Sequence, residues 1–199
     1  MKIVTDSGAD LSLEECEELG VTMLPLKVEV DGVSYQSGVD ITPERFYDLM
    51  DAAQSMPKTS TPSVGEFVEV YTRLAKEDAE ILSIHISTGL SGTYNAALNA
   101  SKIVKEADVT LIDTKTLSAG IAWQVRAAVE MIKAGLSKAV IVERLQQIQD
   151  AVMTHFTLPD LKYLIAGGRI SHLKGLLASL LGIKPVIEVD KIDGKYYDR

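Results

Sequence analysis

At 199 residues the chain is long enough for one substantial core, or for one full domain and part of another. Hydrophobic residues at 46% and charged residues at 24% are the proportions of an ordinary globular protein. The 28 acidic residues outweigh the 20 basic ones, giving a formal charge of −8, and Lys and Arg are scattered, so the basic stripe needed to bind nucleic acid is missing.

The first predicted element is a buried strand over Lys2 to Thr5, followed by a turn through Asp6-Ser7-Gly8-Ala9-Asp10. Ser12 reads as the N-cap of a helix carrying Leu13 and Leu19, with Glu15 at the capping-box position. Within that helix Cys16, a lone cysteine, excludes an intrachain disulfide and suits a reducing compartment. Its neighbours Glu14, Glu15, Glu17 and Glu18 would raise the thiol pKa rather than activate it. Thr22 to Val30 is apolar and β-prone, and Asp31-Gly32 predicts a hairpin turn into Val33 to Gln36. Thr42-Pro43-Glu44 then opens a helix, with Thr42 as N-cap and Pro43 in the first helical position.

Strands and helices alternate from there. Val64, Phe67, Val68, Tyr71 and Leu74 share one face of a helix over residues 64–77. Ile81 to Ile86 is a strand; Ser91 to Lys105 is a helix whose face is Tyr94, Ala97, Leu98, Ser101 and Val104; Val109 to Ile112 is the next strand, ending in Asp113-Thr114. Helices over 118–134 and 138–149 follow, the second with Ser137 as its expected cap. This order predicts an α/β fold, a mainly parallel sheet with helices on both faces, whose ligands bind beyond the carboxyl ends of the strands.

Beyond residue 150 the texture changes. Val152 to Leu158 reads as a strand, Asp160 to Ala166 as a short helix, Gly167-Gly168-Arg169-Ile170 as a break, Leu173 to Leu181 as a helix and Lys184 to Val189 as a strand. Asp193-Gly194 turns into a returning arm, Lys195 to Arg199, in which the sequence stops. The expected organisation is therefore a domain over 1–150 carrying the functional loops, and over 151–199 the start of a second, smaller α+β domain that is cut short. No secretory signal pattern is visible, and the longest apolar run, Leu176 to Ile183, is too short to cross a bilayer, so a cytoplasmic location is expected.

Two hydroxyl-rich loops carry the functional signal: Lys58-Thr59-Ser60-Thr61-Pro62-Ser63 and Ser87-Thr88-Gly89-Leu90-Ser91-Gly92-Thr93-Tyr94. Each precedes a predicted helix, where hydroxyls and free backbone N–H groups favour a small anionic or carbonyl group without a cation. The bland reading is a pair of ordinary helix caps. Pro62 pushes Thr61 to an extended conformation, and Gly89 and Gly92 permit close backbone approach or positive φ. Gly89-Leu90-Ser91-Gly92 misses the nucleophile-elbow pattern by one residue. No base lies near Ser91 in sequence, and His85, His155 and His172 form no metal-binding pattern; His85 reads as a packed strand residue. Arg169 is either a surface residue at a helix end or an anchor for an anionic group or partner protein. The leucines from Leu161 to Leu181 read as core, or as one wall of an apolar tunnel. A serine-dependent hydrolase or phosphotransferase using Ser91 on a small polar metabolite stays open as the alternative, and so does a module whose loops are only caps.

Val4-Thr5-Asp6-Ser7 with Asp10-Leu11, Lys58-Thr59-Ser60-x-Pro62, Ser87-x-Gly89-Leu90-Ser91-Gly92-Thr93-Tyr94, Gly167-Gly168-Arg169-Ile170 and Ile183-Lys184-Pro185 occur together and in order. Jointly they resemble the DegV family, whose members include the fatty-acid-binding subunits of bacterial fatty acid kinase. The resemblance implies a long-chain fatty acid in a buried tunnel between two domains, with its carboxylate held by Thr59 and Ser91 and supported by Ser60, Thr61, Pro62, Gly89, Gly92 and Thr93. It implies a carrier with no catalytic residues, metal or cofactor of its own. A separate ATP-dependent kinase subunit would phosphorylate the carboxylate, with Arg169 on the docking surface. Transient contact with a membrane surface belongs to the same expectation. A histidine that family members add from late in their second domain has no counterpart here.

Overall fold

The structure is a computed structural model describing residues 1–169 and 185–198. Its centre is a four-stranded parallel sheet in the order β2-β1-β6-β7, built from β1 (Lys2–Asp6), β2 (Val21–Leu24), β6 (Glu80–His85) and β7 (Asp108–Asp113). Alternation along the strands feeds two cores. Ile3, Leu82 and Ile84 join one with Cys16 of α1 (Leu13–Leu19) and Ile121 and Val125 of α5 (Ala119–Lys133). Val4 and Ile81 join the other with Phe67, Tyr71 and Leu74 of α3 (Val64–Ala75) and Ala97 and Ala100 of α4 (Thr93–Ile103). A sheet covered on both faces, as the alternating pattern predicts, is the result.

Thr22 to Val30 is two strands, not one. Pro25 has no N–H for a ladder, and the Leu26 N–H leaves the sheet to donate to Ser7 Oγ at 2.9 Å. After the break, β3 (Lys27–Val30), β4 (Val33–Gln36) and β5 (Lys58–Ser60) form a separate antiparallel sheet in the order β4-β3-β5. The β3–β4 turn is the expected one: Asp31 (φ 47°) and Gly32 (φ 83°) are both left-handed, and the Asp31 carboxylate accepts from the Gln54 and Ser55 N–H groups at the end of α2 (Pro43–Ala52).

The caps at Ser12 and Thr42 form as read, the first as a complete capping box with Glu15. Ser137 precedes α6 (Lys138–Ala151) without a side-chain cap bond. Helix α4 starts two residues later than the periodicity suggests, and its buried stripe is Thr93, Ala97, Ala100 and Val104, with Tyr94, Leu98 and Ser101 half-buried beside it.

After α6 come β8 (His155–Thr157), α7 (Lys162–Ala166), β9 (Val186–Val189) and β10 (Tyr196–Asp198), shorter than the sequence suggests but of the expected types. The three strands pair antiparallel in the order β10-β9-β8, which makes the Asp193–Gly194 hairpin real. Ile187, Val189, Tyr196 and Leu161 share the hydrophobic cluster of Ile84 and Ile121. The expected helix Leu173–Leu181, with Ile170, His172, Ile183, Lys184 and Arg199, lies outside the described residues. Among the described residues no helix is long and apolar enough to cross a membrane, and no group of three or more His, Cys, Asp or Glu side chains could hold a metal ion.

Candidate functional site

In the order β2-β1-β6-β7 the chain steps from β1 to one side and later returns to the other, so the switch point lies between β1 and β6. A crevice beyond the carboxyl ends of those strands is where such sheets bind ligands. Asp6 closes β1 there and is fully buried. One carboxylate oxygen accepts from Gly8 N–H (2.9 Å); the other accepts from Ile86 N–H (3.0 Å) and His85 Nδ1 (2.9 Å). Three donors offset the cost of burying this carboxylate and tie the exits of both strands together.

Sequence reasoning missed what stands behind it. His85 Nε2 lies 2.6 Å from Ser83 Oγ, which lies 2.7 Å from Tyr71 Oη, and all four side chains are fully buried. A carboxylate only accepts, so Nδ1 carries a proton; with a neutral imidazole, Nε2 accepts from Ser83 and Ser83 from Tyr71. Burial pushes the Tyr71 phenol well above its ordinary range, partly opposed by its hydrogen bond to Ser83. Phe67 packs edge-on against the His85 ring at 5.2 Å. This Asp–His–Ser–Tyr chain has the connectivity of a catalytic triad, but Ser83 points into a sealed core. Its chemistry is cross-linking, and His85 is the packed strand residue that the sequence suggests. The available signal was the Ser83-x-His85 spacing, which puts both side chains on one face of a strand.

The Ser87–Thr93 loop leaves β6 pinned from several sides. Ser87 N–H donates to the Thr116 carbonyl at 3.0 Å. Asp113, at the end of β7, accepts from Thr88 N–H (3.1 Å) and Thr88 Oγ1 (2.6 Å), and lies 2.8 Å from Lys115 Nζ. Burial alone would raise the Asp113 pKa, but the Lys115 and Thr88 contacts hold it below the ordinary carboxylate range. Arg169 is not free to serve a partner with its whole guanidinium. Its Nε donates to the Leu90 carbonyl (3.2 Å) and its Nη1 to the Gly167 carbonyl (2.6 Å), which brings a cation to the residue next to Ser91.

Ser91 is half-buried; its Oγ accepts from Thr93 N–H at 3.3 Å and lies 2.9 Å from the buried Thr93 Oγ1. No imidazole, amine or carboxylate reaches it among the described residues, so nothing there activates it as a nucleophile. Gly92 is the N-cap of α4 and supplies no side-chain acceptor. Among the described residues no acceptor takes the N–H of Gly92, Tyr94 or Asn95, so a hydroxyl and three donors stand at the positive end of an 11-residue helix.

The first loop leaves a different sheet from the second: Lys58–Ser60 is β5 of the small antiparallel sheet, with Thr59 opposite Val28. Thr59 and Ser60 are exposed and Pro62 is buried. Thr61 reaches the second loop: its Cγ2 would lie 3.6 Å from a Cβ at Gly92. Ser63 is a cap, sharing a complete capping box with Glu66 of α3. Neither Gly89 nor Gly92 takes positive φ; Gly89 makes its close approach to protein backbone, at Asp193 and Gly194.

The family model described as "Uncharacterised protein, DegV family" matches residues 1–198. The chain belongs to the DegV family. A DegV domain-containing protein of Staphylococcus aureus (strain COL) is 43% identical over 193 residues, covering 97% of this chain and 68% of the relative. Among solved structures, a DegV family protein from Thermus thermophilus described by its fatty acid binding superposes with a TM-score of 0.90 at 33% identity, covering 100% of this chain and 70% of that one. A stearic acid-binding protein from Eubacterium ventriosum gives 0.88 at 36% identity, over 100% and 69% of the two chains. The DegV fold thus accounts for the parallel sheet and for both antiparallel additions.

Proposed function

We propose that this DegV protein is a carrier that holds a long-chain fatty acid and presents its carboxylate, at Thr59 and Ser91, to a separate ATP-dependent kinase subunit. The carrying observation is the start of α4, the helix that follows β6, where the Ser91 hydroxyl and three N–H groups without an acceptor among the described residues stand together in a chain similar to fatty-acid-binding proteins. In the partner, a carboxylate oxygen would attack the terminal phosphorus of ATP, the bond to ADP would break, and an acyl phosphate would result. That no base lies beside Ser91 among the described residues supports leaving that chemistry to the partner. Residues 1–150 supply the head-group loops in this reading, and residues 151–199 open a second unit over the lipid.

The energies divide the labour. Burying about 15 methylenes at ~0.8 kcal/mol each offers on the order of 12 kcal/mol before ordering costs. A hydrogen bond to a charged group adds only about 1.5–3 kcal/mol. The tail therefore sets affinity and the hydroxyls set which end faces the kinase.

The test is extraction and mass spectrometry of the native protein, followed by titration with stearate. A co-purified acyl chain, with Thr59→Ala and Ser91→Ala each cutting acyl phosphate formation more than lipid retention, is the expected result. Recovery of no acyl chain together with no binding in titration overturns the reading.

A further inference from the structure

A close backbone contact on the Ser87–Ser91 loop is made from late in the chain. Gly194 sits at φ +67° in the β9–β10 turn, and a Cβ there would overlap Ser87 Oγ. A Cβ on Gly89 would overlap the Asp193 carbonyl and lie 2.6 Å from the Gly194 carbonyl. Two stretches of backbone thus meet where only glycine fits on either side. Ser87, itself fully buried, joins them: its Oγ donates to the Gly194 carbonyl (2.9 Å) and accepts from Gly89 N–H (3.1 Å). From Ser87 the connection to the site is one turn long, because its carbonyl accepts from the N–H groups of both Leu90 and Ser91, each at 3.0 Å.

The turn that bears on this loop is prebuilt. Asp190 accepts from Ile192 N–H (2.8 Å) and Asp193 N–H (3.1 Å) through its carboxylate, and from Gly194 N–H (2.8 Å) through its carbonyl. Asp193 in turn accepts from Lys195 N–H and Tyr197 Oη, each at 3.0 Å. Ile187, Val189 and Tyr196 anchor the hairpin in the core. Opposite the turn, Asp113 holds Thr88.

We infer that the Asp193–Gly194 turn is a latch on the head-group loop, and that Gly194 and Ser87 are positioning residues that set the Ser91 hydroxyl for a carboxylate. The inference rests on the carrier reading for its ligand, while the mechanical coupling stands apart from it. Loosening the latch lets the Ser87 carbonyl drift, and the two amides bonded to it open more often.

Ser87→Ala removes the hydrogen bonds and introduces no clash; Gly194→Ala introduces the clash; Ser87→Gly with Gly194→Ala takes away the group that the new methyl strikes. Two readouts separate the questions. Amide hydrogen exchange at Leu90 and Ser91 needs no ligand, and protection should fall about tenfold in Ser87→Ala and further in Gly194→Ala, with partial recovery in the double variant. Titration with stearate and with stearyl alcohol then reads head-group selection. The unmodified protein should prefer the acid by roughly tenfold or more, and Ser87→Ala should lose most of that preference while keeping its affinity for the alcohol. Unchanged exchange at both amides in Ser87→Ala overturns the latch. Lost protection with an unchanged preference for the acid overturns the positioning role. An unmodified protein that binds neither probe overturns the carrier reading and leaves the exchange result to judge the latch.

Discussion

Asp113 carries a charge whose worth depends on pH. Its carboxylate receives two hydrogen bonds from Thr88 and the charge of the Lys115 cation, and these hold its native pKa below the ordinary carboxylate range despite partial burial. A depressed native pKa means that the unfolded chain binds the proton first as pH falls. The stabilisation is therefore fully present above about pH 4 and fades as the pH drops through the lower native value. Asp113→Asn should cost about 1–2 kcal/mol at pH 7, and the gap to the unmodified protein should close below about pH 4. Urea unfolding at a series of pH values checks this; a gap that stays constant down to pH 3 would mean that the ionised form contributes nothing. Cys16 is a quieter case: burial first, and the negative charge of Glu15 second, push its thiol pKa up, so it is core material as its neighbours in sequence suggest.

Where a short stretch decides an element, the sequence could be read directly. Ser12 with Glu15, Thr42 with Pro43, and Asp31-Gly32 each form the predicted structure, because each depends on hydrogen bonds spanning only a few residues. Ser63 is the same kind of feature, although it sits in a loop that also carries functional signal. Its Oγ accepts from Glu66 N–H at 3.2 Å, and the Glu66 carboxylate accepts from Ser63 N–H at 2.7 Å. Burial opposes ionisation of Glu66, but Ser63 and Lys27 together hold its pKa below the ordinary range. Ser63→Ala should cost about 1 kcal/mol, read as a lower urea midpoint with an unchanged slope. Acyl phosphate formation with the kinase partner should stay as it was, which separates this cap from Thr59 and Ser91. The phase of α4 was not legible in the same way. Ala97 and Val104 are buried as the spacing suggests, but Thr93 and Ala100 complete the inward stripe in place of Tyr94, Leu98 and Ser101, since small side chains let α4 sit closely on α3 and the sheet. Only the three-dimensional neighbours choose between two stripes of one period. The Tyr71–Ser83–His85–Asp6 chain escaped for a related reason, its members being brought together by β1 pairing beside β6.

Over the whole molecule, the late strands are bound into the early core. Ile187 is fully buried in a cluster with Ile84 and Ile121, Tyr196 packs edge-on against Phe156 at 5.3 Å, and the hairpin between them presses on Ser87. The composition shift near residue 150 is visible in the sequence, but packing across it is not, because no local pattern records which core a short strand joins. Ile187→Ala removes buried methyl groups at the centre of this contact and should cost about 2–5 kcal/mol, depending on how far the cluster relaxes. If the shared cluster makes residues 155–198 cooperate with the parallel sheet, that cost appears equally at both ends of the chain. Native-state hydrogen exchange should then show amides of β9 and of β1 losing protection together in Ile187→Ala. Loss confined to β8–β10, with β1 and β6 unchanged, would instead describe a separately opening unit, and the latch at Gly194 would then be released by local opening of that unit. The two patterns differ strand by strand, so one exchange series on this variant decides between them.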